Sequence, residues 1–110
     1  MVKICMPMDG KKWRVKYDKV EDDLKKMGYE VVPLYLVDFL KEEPQFKYQV
    51  NCVPLLKMGD EFYRLSICDT ALFCAGWDTD LVCQIEHRLA KRYKLKIMYE
   101  ESTYKLQERM

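Results

Sequence analysis

Apolar residues recur along this chain in two rhythms, one of strands and one of helices. A short apolar run from Val2 to Met8, ending in the turn Pro7-Met8-Asp9-Gly10, predicts a buried strand. Trp13, Tyr17, Val20, Leu24 and Met27 then follow at steps of four and three, with Asp18, Lys19, Asp22, Asp23, Lys25 and Lys26 on the remaining faces. That spacing predicts an amphipathic helix, and Gly28 supplies its stop. Tyr29 to Val32, closed by Pro33, predicts a second strand, so residues 1–33 read as one β-α-β unit.

Residues 34–58 carry a weaker pattern. Leu36, Phe39 and Leu40 are spaced as a short helix, but Pro44 and Pro54 interrupt the run. Gly59-Asp60 predicts the start of a helix with Phe62, Leu65 and Ser66 inward, ending near Cys68. Ala71 to Ala75 is a continuous apolar strand closed by Gly76. Asp78-Thr79-Asp80 is rich in helix-capping residues, and Val82, Ile85, Leu89 and Tyr93 mark one face of the helix that follows. Lys96 to Tyr99 predicts the last strand, and Glu101 to Met110 a short helix or a frayed end. The alternation predicts a single α/β domain over residues 1–110. Its expected core is a parallel sheet of about four strands, at residues 2–6, 29–33, 70–75 and 95–99, with helices on both faces.

Composition narrows what such a domain does. The 110 residues are 49% hydrophobic and 34% charged, which suits one globular unit. Lys plus Arg number 19 against 18 for Asp plus Glu, a net charge of +1. That balance argues against nucleic acid as the main partner. Two basic clusters stand out: Lys11, Lys12, Arg14 and Lys16, and Arg88, Lys91, Arg92, Lys94 and Lys96. Both read first as solvated helix ends, and Trp13 and Tyr17 beside the first cluster read first as core. No segment has the roughly 18 to 20 apolar residues of a membrane span. The first residues lack the apolar stretch and cleavage site of a secretion signal. Cys5, Cys52, Cys68, Cys74 and Cys83 show no CxxC spacing, so the chain reads as a cytoplasmic protein with free thiols. Cys74, Cys83 and His87 do not make a convincing zinc set without a fourth ligand, and neither a metal nor a cofactor is expected.

In an open parallel sheet, sites form where the strands end and the following helices begin. Two loops fit that position, Met6 to Gly10 and Gly76 to Val82. Glu86 lies one turn into the helix after the second loop, beside the apolar face, where a dry setting would raise its carboxyl pKa. By periodicity alone it reads first as a rim residue that solvates the helix.

Beyond these patterns, particular residues carry a resemblance. Pro54-Leu55-Leu56-Lys57-Met58-Gly59, Cys68-Asp69, Gly76-Trp77, Cys83-Gln84-Ile85-Glu86-His87 and Ala90-Lys91 resemble a family of small phage and bacterial proteins. That family lies within the nucleoside 2-deoxyribosyltransferase-like superfamily. Pro7-Met8-Asp9-Gly10 is similar to its N-terminal loop. The resemblance implies a flavodoxin- or Rossmann-like sheet and a helix glutamate, here Glu86, that attacks the anomeric carbon of a deoxyribosyl group. A covalent glutamyl-sugar intermediate follows, resolved by water or a second base. Asp80 matches the acid with which transferases contact the nucleoside. Hydrolases acting on nucleotides carry serine there, so Asp80 favours an uncharged nucleoside over a monophosphate. Asp60 or Glu61 falls near the acid that touches the sugar or assists the leaving base. Met8, Gly10, Gly76 and Trp77 complete the implied substrate-binding set.

Four departures accompany it. Val82 replaces a usual glycine four residues before the glutamate, Leu81-Val82 replaces an Arg-Gly pair, Lys3 stands where an aromatic residue packs on the sugar, and Cys5 replaces serine. Two expectations follow. One is an enzyme that cleaves or transfers an N-glycosidic bond. The other is a non-catalytic phage or mobile-element binding protein, acting on a host defence protein or sequestering a nucleotide signal. A roomy polar cleft beside Glu86 favours the first, and a site plugged by Val82 the second. The resemblance also implies a homodimer in a bacterial host's cytoplasm. Its expected contacts are the aromatic residues Tyr35, Phe39, Phe46 and Tyr48 or the helix containing Phe62.

Overall fold

Successive side chains of a strand point to opposite faces of its sheet, and that alternation divides this molecule in two. The computed structural model describes residues 1–36, 48–100 and, for the backbone alone, 106–109. Strands β1 (Val2–Cys5), β2 (Thr70–Phe73) and β3 (Lys96–Glu100) pair in parallel, with Val2 opposite Thr70 and Thr70 opposite Lys96. Helices α1 (Trp13–Lys26), α2 (Val53–Ser66) and α3 (Leu81–Arg92) cover the two faces. Among the described residues the protein is therefore an α/β fold with three parallel strands in an open sheet and three α-helices.

One face is mainly apolar. Val2, Ile4 and Met6 share it with Leu72, Cys74 and Met98, and Tyr17, Val20 and Leu24 of α1 close over them. The predicted stripe of α1 thus packs inward, except at Met27, which is 55% exposed beyond the last turn. Gly28 takes a left-handed φ of 92°, and Gly28 N–H and Tyr29 N–H donate to the carbonyls of Lys25 and Leu24. This is a double-bonded helix end that favours glycine.

The opposite face joins Cys5, Ala71 and Phe73 to Leu65 of α2 and to Cys83 and Ala90 of α3. Here the structure corrects the sequence reading in several places. Helix α2 begins at Val53 rather than Gly59, because Pro54 falls in its first turn, where its missing N–H costs no hydrogen bond. Ser66 is exposed rather than inward, and its hydroxyl donates to the Tyr63 carbonyl at 2.6 Å. On α3 the fully buried stripe is Cys83, Glu86, His87 and Ala90, whereas Val82, Ile85 and Leu89 are half-buried and Tyr93 is exposed. Polar partners across the sheet turn the helix this way.

Two strand expectations change as well. The run at 29–33 reduces to a single parallel bridge, Val31 beside Val2, flanked by Val2 N–H to Glu30 O and Val32 N–H to Val2 O bonds. The tail is neither helix nor frayed over Leu106–Arg109, which forms β4, antiparallel to β3. The open edge of β3 offers those backbone partners, and no local pattern in the tail announces them. Phe39, Leu40, Pro44 and Phe46 lie outside the described residues. Among the described residues, no helix is long and apolar enough to cross a membrane.

Candidate functional site

Where β1 and β2 end, the chain opens a cavity of about 560 Å³ between the loop after β1, α2 and the start of α3. Its size falls in the range of small-molecule sites. Met6, Met8, Trp13 and Met58 form an apolar wall, and Glu61, Asp80 and Glu86 face the same space. Asp9 and Lys57 also line it. Val82 belongs to the wall and leaves the cavity open.

Glu86 is brought here by the rotation of α3 and is 1% exposed. Its Oε2 lies 2.6 Å from Nζ of Lys3, itself fully buried on β1, and accepts from the Cys5 thiol at 3.4 Å. Burial pushes the Glu86 carboxyl above the usual carboxylate range, and the Lys3 charge pulls against that rise. For Lys3, burial favours the neutral amine, but the negative charges of its neighbours, Cys5 where ionised and the Glu86 and Glu61 carboxylates, outweigh it and hold the proton on firmly. Burial, only partly opposed by Lys3, keeps the Cys5 thiol well above its ordinary value, so Cys5 is a neutral donor.

Lys3 has a second carboxylate. Oε2 of Glu61 is also 2.6 Å from its Nζ, so the two carboxylate oxygens are no more than about 5.2 Å apart, twice that distance. Behind them, Nη2 of Arg64 pairs with Oε1 of Glu61 at 2.5 Å, and Nε of Arg64 with Asp60 at 2.9 Å. Arg64 is fully buried, and its neighbours three and four residues back on one helix face supply the charges that allow it.

The residues singled out in the sequence therefore separate. Glu86, Glu61, Asp80 and Met8 meet at one cavity. Asp60 does not line it; its carboxylate turns to Arg64 and to the Leu36 N–H at 3.1 Å. Of the two acids left open, Glu61 is the one that faces the cavity. Asp80 also caps α3, accepting from Cys83 N–H at 3.0 Å. Gly10 and Gly76 shape the two loops with left-handed φ values of 75° and 90°. Trp77 lies elsewhere, stacked on His87 with ring centres 4.1 Å apart. His87 is further held by Tyr99, Nε2 to Oη 2.7 Å, and burial lowers its pKa. Of the residues weighed as dimer contacts, Tyr35 and Tyr48 are exposed and Phe62 is half-buried.

Sequence reasoning missed Lys3 and Arg64. Lys3 counted only as a departure, yet a lone lysine inside the apolar run Val2–Cys5 was a readable sign of a buried countercharge. A second carboxylate also went unnoticed. Glu100, at the end of β3, accepts from Ala75 N–H at 3.0 Å and pairs with Lys16 at 2.8 Å. A larger groove of about 900 Å³ runs along another side of α2 past Leu55, Leu56 and Tyr63. It is mostly apolar, and its one acid, Asp60, is engaged with Arg64, so the chemistry belongs to the smaller cavity. No protein-family model, curated protein or solved structure matches this chain.

Proposed function

We propose that the protein cleaves the N-glycosidic bond of a 2-deoxynucleoside or a related nucleotide, with Glu86 as nucleophile, on a flavodoxin- or Rossmann-like sheet. The observation that carries this reading is the pair of carboxylates, Glu86 and Glu61, that line one open cavity and share the ammonium of Lys3. Retaining glycosidases likewise work with two carboxyl groups brought close together at the sugar, one of them attacking it directly. A Glu86 oxygen bonds to the anomeric carbon, the carbon–nitrogen bond breaks, and its electron pair leaves with the base, which takes a proton from solvent. Water then attacks the same carbon, Glu61 accepts the proton from that water, and the ester oxygen returns to Glu86 as carboxylate. Met6, Met8, Trp13 and Met58 provide an apolar wall against which a base packs. Asp80, Asp9 and the two glutamates make an uncharged nucleoside a better ligand than a phosphorylated one, because like charges repel.

Incubation with a panel of deoxynucleosides and their monophosphates, followed by chromatography for free base, tests this. Base release is expected with the wild-type chain and not with Glu86→Gln. Release that persists in Glu86→Gln removes the mechanism. Tight nucleoside binding with no release by the wild-type chain favours the binding-protein alternative, which the engagement of Glu86 by Lys3 makes the second reading.

A further inference from the structure

Lys3 is an unexpected residue to bury. An ammonium group enters a protein interior only against a large desolvation cost, and an apolar side chain would serve a buried strand as well. Nor does Glu61 depend on it, since Arg64 already pairs with that carboxylate. What Lys3 adds is contact with Glu86: among the described residues, it is the cation within ion-pair distance of that group. It does so without lining the cavity, so it stands behind both carboxylates rather than against a ligand.

We propose that Lys3 is a positioning residue that holds Glu86 and Glu61 together at the cavity and keeps Glu86 in its charged, nucleophilic form. This inference rests on the reading of Glu86 as nucleophile. The groups around Glu86 come from each packed element. Lys3 and Cys5 face it from β1, and Glu61 from α2, backed by Arg64 and Asp60. Cys83 and the capping Asp80 belong to its own helix. Tyr17 of α1 packs on the opposite face of the sheet, and burial pushes its hydroxyl pKa up to about 12.

Counted as ionised, Asp60, Glu61 and Glu86 bring three negative charges against two positive from Lys3 and Arg64. The excess falls on Glu86, which has one cationic partner where Glu61 has two. Burial already favours its protonated form, and Lys3 opposes that. When Glu86 becomes an ester its charge disappears. Lys3 then has Glu61 as its remaining carboxylate, held in place to take the proton of the incoming water.

The test follows the Glu86 carboxylate by carbon-detected NMR on glutamate-labelled protein, with Glu86→Gln identifying the resonance. In Lys3→Met the titration midpoint should rise by one pH unit or more, the size of shift that loss of a close opposite charge gives. In Glu61→Gln it should fall, because a like charge is removed and Lys3 becomes undivided. Opposite displacements are the expected result, and equal or absent displacements overturn the proposal. Where Lys3→Met does not fold, Glu61→Gln decides alone: a fall supports the role, and no change or a rise overturns it. With activity in hand, the acid limb of kcat should move up in Lys3→Met while KM changes little. The NMR readout needs no turnover, so absence of base release refutes the proposed reaction without touching the result for Lys3.

Discussion

The two faces of the sheet solve the same packing problem with different chemistry. Beneath α1, Val2, Ile4, Leu24 and Leu72 meet as hydrocarbon on hydrocarbon, with an ion pair, Lys16 to Glu100, at the strand end. Beneath α2 and α3, equally deep positions on the same strand hold Lys3 and Cys5, and the helices answer with Glu61, Arg64 and Glu86. An apolar face is stabilised by any side chains of suitable size. A buried charged face is stabilised only as a set, because each member is costly without the others. The α1 face therefore suits a scaffold, and the opposite face a site.

The largest expected effect tests the interdependence. Lys3→Met alone should cost about 3–5 kcal/mol in denaturant melts, since it leaves Glu86 buried without its cation. Lys3→Met with Glu86→Leu should recover most of that loss, because both charges are then gone. A double variant no more stable than the single one would mean that Lys3 acts through shape, and the contrast between the faces would fail. On the other face, Leu24→Ala should cost about 3 kcal/mol, within the usual range for a fully buried leucine. There no second substitution at a distance should restore it, because what is lost is volume rather than balance.

What could be read from sequence divides along the same line. The α1 stripe, Gly28 and β1 were legible because hydrocarbon burial is periodic and local. The face of α3 was not, because its buried positions include Glu86 and His87, whose partners Lys3 and Tyr99 come from other elements. Periodicity put Glu86 beside the apolar face rather than within it, and took Tyr93 as inward. The start of α2 was hidden by Pro54, which resembles a breaker until it is placed in a first turn. Glu86 stood out by its place one turn into α3, with its role implied by resemblance alone, and Glu61 was narrowed from two neighbours only by the geometry around Lys3.

The smallest expected effect contrasts two helix ends. Both α1 and α3 finish with the same pair of backbone bonds, at Gly28 and Tyr29 in one and at Lys94 and Leu95 in the other. Gly28 adopts its left-handed φ without a Cβ penalty, whereas Lys94 holds φ 59° with one. Lys94→Gly should stabilise the protein by roughly 0.5–1 kcal/mol and Gly28→Ala should destabilise it by a similar amount, measured by thermal melts. Equal signs would show that the two ends are not equivalent.

The register of β1 also has a consequence for the growing chain. Val2 pairs with Thr70, so β1 emerges from synthesis long before the strand that covers one of its edges, while Glu30 to Val32 lie along the other. Contacts between such distant residues form late and slowly. In that interval Val2-Lys3-Ile4-Cys5-Met6 is an exposed extended segment of the kind that sticks to other copies of itself, and a charge at its centre opposes such pairing. Lys3 is thus placed to act as a gatekeeper in the nascent chain. The same ammonium becomes an interior group once Glu61 and Glu86 have been translated to receive it.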